Sequence, residues 1–304
     1  MVQWNTGDDM TKRVIGRIYE HDETNRLIRI RHQTVIESYY FPRGLYQTYE
    51  SYLNQGAYLF LHVGSKPRIV KKVRVFTVEK VEKILFPRKQ NPIVYYDIAR
   101  IKSQIKSLLN QTRSKLFLDL EMSMPPYQLY QGFESEIIQY GAVYLDETDQ
   151  QVFLEDSFVK PVIRKEISDR TKKFLHIEQA VIESGMEPKD FLERLRILFR
   201  KNRPMVFVWG QNDILELKKA SRLHRIPDIT SGVQMIDLLR LIKIYYGLKN
   251  DLGLMNAYKL HVESEFTDRQ AHHALEDAMM TKDVYQSFKD VANGHKTIDL
   301  LEYK

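Results

Sequence analysis

Cysteine is absent from this chain of 304 residues, and its absence removes two classes of site. No disulfide can form, and no zinc ion can be held by thiolates. The nine histidines show no spacing typical of an imidazole zinc site. Because ten methionines but no cysteines fit a reducing compartment, we expect a cytoplasmic protein.

Long apolar runs are also missing. No stretch is long enough to span a bilayer, and residues 1–13 lack the apolar segment of a secretion signal, so we expect neither membrane insertion nor secretion. No fixed-period repeat or low-complexity tract occurs, which excludes a solenoid. The length and a hydrophobic share of 43% predict two domains with cores of their own.

Acidic residues are scarce in the first third of the chain. Residues 1–110 contain 19 lysines and arginines against 10 aspartates and glutamates, a net charge of +9, whereas residues 111–304 contain 27 against 30, a net charge of −3. A basic module beside an acidic one can hold a polyanion that the acidic one would repel. A basic surface that serves only solubility is the alternative.

Three separated segments place acids at defined points of predicted elements. Asp119 and Glu121 lie two residues apart in the apolar run KLFLDLEM, which predicts a buried strand with both side chains on one face. Asp213 lies where a strand turns into a helix, and Asp277 lies one turn into a helix predicted from Ala274. Each has a structural alternative: solvated acids on a strand, a helix cap, and an exposed acid beside surface histidines.

Together these residue types suit hydrolysis of a phosphodiester. Two hard cations roughly 3.5 to 4 Å apart can place an attacking water and neutralise the leaving oxygen. Magnesium takes a few carboxylates together with waters and phosphate oxygens. His272 precedes the helix predicted from Ala274 and is suited to accept the proton of the water, because imidazole titrates near neutral pH.

The three segments resemble the motifs of the DEDDh 3′-to-5′ exonucleases. They are D-x-E at Asp119 and Glu121, W-G-x-x-D-x-x-x-L at 209–217, and H-x-A-x-x-D-A at 272–278, in the order and with the separations of that family. The similarity covers residues 114–292. It is closest to the branch that trims small RNAs and histone messages, and to a bacterial exonuclease-like inhibitor of the KinA pathway.

The resemblance also implies roles for individual residues. Four carboxylates would bind two Mg²⁺ or Mn²⁺ ions: Asp119, Glu121, Asp213 and Asp277. His272 would be the general base, and His273 is the competing candidate. The family places its base five residues before the last aspartate, and this spacing selects His272.

Substrate contacts are expected next to the first motif. Ser123 lies where the family usually has a threonine near the terminal nucleotide, so a hydroxyl is retained. Leu120 and Met122 are candidates for a wedge against the terminal base, with a plain core role as the alternative. Met122 and His176 differ from the residues usual in the family, at positions that affect the fit of the substrate.

Residues 1–92 predict a basic, β-rich domain. Five strands with a helix after the third have the order of an OB-like barrel, a fold that commonly binds single strands with basic and aromatic side chains. Aromatic and arginine candidates for such contacts, with a core role as the alternative for the aromatics, are Tyr39, Tyr40, Phe41, Tyr46, Tyr49, Tyr52, Arg29, Arg31 and Arg43.

Residues 93–112 predict a linker helix, and 113–304 an exonuclease domain of the α/β class. The resemblance implies a ribonuclease H-like mixed sheet of five strands with flanking helices. The expected strands are 116–122, 137–146, 151–160, 205–209 and 234–237.

The function expected from these residues is 3′-to-5′ hydrolysis of single-stranded nucleic acid, RNA rather than DNA, with release of nucleoside 5′-monophosphates. A DNA proofreading or repair accessory and a non-catalytic nucleic-acid-binding regulator are the alternatives. We expect nucleic acid with single-stranded 3′ ends as the partner and no membrane partner, and the sequence does not identify protein partners.

Overall fold

The structure is a computed structural model that describes residues 11–32, 35–128, 132–262 and 272–300. Residues 1–10, on which much of the expectation about a secretion signal rests, lie outside these ranges. The chain forms two compact units, Met1–Gln104 and Ile105–Lys304. None of the described helices is long and apolar enough to cross a membrane.

The first unit consists mainly of β-strands. In chain order its elements are β1 (Thr11–Asp22), β2 (Leu27–His32), β3 (Val35–Tyr40), α1 (Arg43–Tyr49) with a 3₁₀ turn at Glu50–Tyr52, β4 (Tyr58–Gly64), β5 (Arg68–Val70), β6 (Val73–Phe86) and β7 (Ile93–Asp97). Burial alternates along β4, where Leu59, Leu61 and Val63 are buried and their neighbours are more exposed. This pattern is that of a strand with one face on a core.

The paired strands of the first unit form a closed series, in which the last strand pairs again with the first. β1 pairs antiparallel with β2 and with β4, β2 pairs with β3, and β4 pairs with β6. A short parallel pairing joins β3 to β6, with Tyr39 opposite Phe76 and Tyr40 opposite Thr77. The five strands therefore form a closed circuit of pairings, and their buried faces share one core that includes Ile28 and Leu61.

The five strands and the helix predicted for this region are present, but two elements differ from the sequence expectation. β5 and β7 are additional strands, and both pair with β6. The prediction of a helix from residue 93 is wrong, because Ile93–Asp97 is the strand β7 and the helix α2 spans Ile98–Leu109. The β-branched and aromatic run IVYY favours a strand where a partner edge is free.

The second unit combines strands and helices. After α2 the elements are β8 (Lys115–Met122), β9 (Ile137–Leu145), β10 (Gln151–Phe158), α3 (Asp169–Leu175), α4 (Gln179–Glu183), α5 (Pro188–Arg200), β11 (Met205–Val208), α6 (Asn212–Leu223), β12 (Met235–Asp237), α7 (Leu238–Tyr246), α8 (Leu254–Val262) and α9 (Ala274–Asn293). The strands form one sheet in the order β10-β9-β8-β11-β12. β8 is antiparallel to β9 and parallel to β11, so the sheet is mixed, and each of the five predicted strands is present.

Both faces of this sheet are covered by helices. On one face, Leu116, Leu118 and Leu120 share a core with residues of α5 and α6. On the other face, the ring of Phe117 stacks on that of Phe207 at 5.3 Å and meets Tyr285 of α9 at 5.2 Å. Alternate side chains of β8 thus point to opposite faces of the sheet, and the acids of β8 lie on the face that α9 covers.

Candidate active site

The first two acids lie in the middle of the sheet. Asp119 is opposite Gly141 on β9, and Glu121 is opposite Gln139. β8 is flanked by β9 and β11, but the pairing with β11 ends at Phe117, so the part of β8 that carries both acids is paired with β9. Their shared face, predicted from the two-residue spacing, is therefore fixed by backbone pairing.

Asp213 reaches the same place because β11 is short. β11 pairs with β8 only as far as Phe117, and α6 begins four residues after β11 ends. The backbone amide of Leu120 donates a hydrogen bond to the Asp213 carboxylate. Gln211 occupies the N-cap of α6, so the capping role considered for Asp213 is wrong.

The third segment reaches the acids through a close approach of α9 to β9. A Cβ atom placed on Gly141 would lie 2.2 Å from the backbone nitrogen of Leu275. Because Gly141 is opposite Asp119, this contact lays the first turn of α9 beside the acids of β8. Asp277 in that turn is therefore brought next to residues that precede it by more than 150 positions.

The three segments converge on one site. Ligand-type atoms of Glu121, His272 and Asp277 all lie within 4.8 Å of one another. Asp119 experiences the charges of Asp213, Asp277 and Glu121. Glu121, Asp213 and Asp277 are only 9%, 5% and 7% exposed, so these are not solvated surface acids.

Burial and mutual repulsion dominate the electrostatics of the four acids. Desolvation, followed by the charge of Asp213, raises the pKa of Asp119 well above its ordinary value. Desolvation and then Asp277 raise the pKa of Glu121 to about 8. Desolvation likewise raises the pKa of Asp213 to about 7 and that of Asp277 to about 6. The ionised carboxylates therefore repel one another unless a positive charge lies between them.

The two adjacent histidines have different surroundings. His272 faces the acids, and burial together with the nearby His176 lowers its pKa, which favours the neutral imidazole. The Nε2 atom of His273 lies 3.4 Å from the Oδ2 atom of Asp156 on β10. His272, not His273, is therefore the histidine that shares the site with the acids.

Comparison with known proteins assigns this arrangement to a family. The RNase_T family model, described as Exonuclease, matches residues 116–285, which is more than half of the chain. A probable 3′-5′ exonuclease KapD of Bacillus subtilis (strain 168) is 31% identical over 179 residues, or 59% of this chain and 84% of that protein. The chain is a 3′-5′ exonuclease of the DEDDh family. It is accordingly a phosphodiester hydrolase, as expected from its motifs.

One solved structure shares the fold of this exonuclease, and a second is similar to it. A full-length 3′-exonuclease matches with a TM-score of 0.50 at 16% identity, over 61% of this chain and 63% of that chain. The nuclease domain of 3′hExo, a DEDDh family member bound to rAMP, has a TM-score of 0.49 at 16% identity, over 61% of this chain and 96% of that chain. The expected α/β class with a mixed, ribonuclease H-like sheet is confirmed for the second unit.

DEDDh exonucleases use divalent metal ions, and the acids of this exonuclease fit such ions. The Oδ1 atom of Asp277 is buried and accepts no hydrogen bond from any described residue. Four carboxylates with raised pKa values supply the hard oxygen donors that divalent cations prefer. A cation would relieve their repulsion, so the donor set suits a divalent metal.

Phe174 is a residue of the site that the motifs do not reveal. Its ring stacks on the imidazole of His272, with centroids 4.1 Å apart and an angle of 20° between the planes. Phe174 lies in the last turn of α3, and His176 ends that helix in the left-handed conformation with a φ of 52°. The only sequence signal for this segment is the departure at His176 from the residue usual in the family.

The expected substrate residues have different environments. The hydroxyl of Ser123 accepts a hydrogen bond from the backbone amide of Glu136, and the Ser123 amide donates to the Glu136 carbonyl. Met122 is partly exposed at the end of β8. Leu120 is buried in the core on the face opposite the acids, so we do not retain it as a base wedge.

Most aromatic candidates of the first unit are core residues. Tyr39, Phe41, Tyr46 and Tyr49 are buried and cannot stack on a ligand, which leaves only the partly or fully exposed members of the set. Tyr40 is partly exposed and lies beneath two arginine side chains, at 4.7 Å and 5.5 Å. Tyr52 is exposed and stacks on Tyr95 at 5.5 Å.

Proposed function

We propose that this exonuclease shortens single-stranded nucleic acid from its 3′ end, RNA in preference to DNA, and releases nucleoside 5′-monophosphates. The observation that carries the proposal is the convergence of three distant segments on one cluster of four largely buried carboxylates with His272. Buried like charges are costly, so a fold that gathers four of them is expected to bind cations there. The preference for RNA follows the sequence resemblance to the branch that trims RNA.

We assign the metal ligands to the four acids: Asp119, Glu121, Asp213 and Asp277. Two Mg²⁺ or Mn²⁺ ions held there would lower the pKa of a bound water and offset charge on the leaving 3′ oxygen. This pair of ions is part of the proposal, and its support is the number of carboxylates in one buried place. Each Mg²⁺ ion usually binds only one or two protein carboxylates, so four carboxylates suffice for two ions that also contact phosphate oxygens.

The proton of the attacking water is assigned to His272. Its lowered pKa favours the neutral imidazole, in which a ring nitrogen can accept that proton. The Phe174 ring limits rotation of the imidazole by stacking on one face.

The test is a time course with an oligonucleotide labelled at its 5′ end, in Mg²⁺ or Mn²⁺. A ladder that shortens from the 3′ end is expected, and Asp119→Asn should abolish it while the fold is retained. Asp190→Asn removes an exposed acid of α5 and serves as the matched control, with activity unchanged. A stable shifted band without cleavage, or full activity of Asp119→Asn, would contradict the proposal.

Paired RNA and DNA oligonucleotides of one sequence decide the substrate class. Met122 and Ser123 are proposed to lie against the terminal nucleotide, where a 2′-hydroxyl contact separates RNA from DNA. Faster hydrolysis of RNA supports the proposal. Equal or faster hydrolysis of DNA would favour a proofreading or repair role. The cytoplasmic location remains a prediction of the sequence, to be checked by cell fractionation.

We further propose that the first unit is an OB-like barrel that helps to hold the substrate strand. The closed circuit β1-β2-β3-β6-β4, with a helix between β3 and β4, supports this assignment. The net charge of +9 in residues 1–110 supports contact with a polyanion. Domain limits at 92 and 112 likewise remain proposals.

A further inference from the structure

A shallow groove on the outer surface of the first unit carries arginine and tyrosine side chains together. Its volume is about 570 Å³, and its lining includes Arg17, Tyr19, Arg31, Gln55 and Tyr58. Both tyrosines are unusually open for their size, with Tyr19 41% and Tyr58 37% exposed. This volume is in the range of sites that accept organic ligands.

Strand register places three of these residues in one row. Arg17 of β1 is directly opposite Arg31 of β2 and directly opposite Tyr58 of β4. Neighbouring strands are about 4.8 Å apart, so the row presents two guanidinium groups and a phenol ring along a continuous line. The spacing is set by backbone pairing and does not depend on flexible loops.

Tyr19 is brought beside this row by an irregularity in β1. The register between β1 and β2 shifts between Ile18 and Glu20, so Tyr19 has no partner residue opposite it. Its ring lies beneath the guanidinium of Arg31 at 4.1 Å. Gln55 donates a hydrogen bond to the Tyr19 carbonyl and so holds the bulge. Bulges commonly re-aim a side chain next to a binding site.

Arg17 is held in place by the turn before β4. Its Nε atom donates to the carbonyl of Gly56, whose φ of +92° favours glycine. A Cβ on Gly56 would lie 3.2 Å from the Arg17 guanidinium, so the small residue leaves room for it.

Among the described residues, no acid forms an ion pair with the arginines of the groove, Arg17 and Arg31. The acid next to the bulge, Glu20, is paired with Arg29 at 2.7 Å. Two arginines without acidic partners among the described residues, flanked by exposed rings, match the alternation of phosphates and bases in a single strand.

We propose that this groove binds the backbone and bases of single-stranded nucleic acid, with Arg17 and Arg31 on phosphates and Tyr19 and Tyr58 stacking on bases. The inference rests on the proposed function in that it concerns the strand that the exonuclease shortens. The nucleic acid would bind to the surface formed by β1, β2 and β4, because most tyrosines around β3 and α1 are buried.

Binding is measured with the full chain in EDTA and a fluorescent oligouridylate of about 16 nucleotides, the upper end of what one such fold covers. The slope of log affinity against log salt is negative, and Arg17→Gln/Arg31→Gln should reduce its magnitude by about 1.4, because each phosphate contact on a single strand contributes about 0.7. Arg31→Gln alone should reduce this magnitude by about 0.7 and leaves the Gly56 contact intact. Tyr58→Ala should weaken binding by roughly 5- to 150-fold, and Tyr58→Phe should not, because the stacking face is kept.

Arg74→Gln/Lys80→Gln is the matched control, since it removes two exposed positive charges of β6 outside the groove lining. An unchanged slope in this control supports the groove. Equal effects of both double variants, wild-type binding by the groove variants, or equally tight binding of polyglutamate would each overturn the inference. Hydrolysis by the wild-type chain in Mg²⁺ is assayed separately. If the wild type cleaves and the groove variants bind like the wild type, only the groove inference is contradicted. If the groove variants bind more weakly but the wild type does not cleave, only the proposed function is contradicted.

Discussion

Gly141 on β9 contacts the backbone of Leu275 on α9 so closely that no side chain fits between them: a Cβ on Gly141 would be 2.2 Å from the Leu275 nitrogen. Gly141 is also opposite Asp119 in the sheet. One missing side chain thus lets the third motif approach the first. The position of Asp277 beside Asp119 and Glu121 depends on this contact.

Gly141→Ala is therefore expected to reduce activity far more than stability. The added methyl meets backbone, which cannot rotate away, so the start of α9 must shift. Such overpacking costs roughly 1 to 3 kcal/mol of unfolding free energy, whereas a shift of about 1 Å at the site costs on the order of 100-fold in turnover.

The measurements are kcat on a single-stranded oligonucleotide and the free energy of unfolding in denaturant. Gly253→Ala is the control, because a Cβ there meets nothing within 4 Å. Unchanged kcat in Gly141→Ala would show that the close approach does not position the acids.

Alanine at the two adjacent histidines should have unequal effects. His272→Ala is expected to lower kcat at neutral pH by roughly 100- to 10,000-fold, the usual contribution of a general base, with little change in the dissociation constant. His273→Ala removes a contact of 3.4 Å with Asp156 and should leave kcat nearly unchanged. Single-turnover rates and binding in EDTA separate the two quantities. The reverse order of effects would assign the base to His273.

Metal removal should make the stability of the fold depend on pH. The ordinary pKa is 3.8 for aspartate and 4.5 for glutamate, but burial raises that of Asp277 to about 6, Asp213 to about 7 and Glu121 to about 8. Between these values the folded chain keeps protons that the unfolded chain has released, so stability is present at low pH and is lost as pH rises through the folded values.

In EDTA we therefore expect the free energy of unfolding to fall by roughly 3 kcal/mol or more between about pH 5 and 8. Glu121→Gln should reduce this fall, because one titrating group is gone. Saturating Mn²⁺ should abolish it, since the cations favour the ionised acids. Denaturant titrations across this pH range provide the values, and a flat profile in EDTA would contradict the burial of the acids.

Local features of the second unit could be predicted from the sequence, because the relevant patterns are local. The two-residue spacing of Asp119 and Glu121 and the apolar run around them sufficed to predict β8 and its acidic face. The contact of Gly141 with α9 could not be predicted, since it joins residues more than 130 positions apart. Phe174 was missed for the same reason: its partner His272 is almost 100 residues away.

In the first unit, alternation predicted the strands but not which tyrosines would be buried. The sequence does not distinguish Tyr39 and Tyr49 from Tyr19 and Tyr58. In the structure, however, the first two lie in the core and the last two on the surface. The difference depends on how the circuit of strands closes and on the bulge at Tyr19. Both are properties of long-range pairing.

The central claim is that the four acids jointly hold divalent cations. A crystal of the exonuclease soaked in Mn²⁺, with anomalous scattering recorded at the manganese edge, tests it directly. The account predicts two peaks, roughly 3.5 to 4 Å apart, within bonding distance of Asp119, Glu121, Asp213 and Asp277. No peak at these carboxylates, or peaks only at other acids, would contradict it.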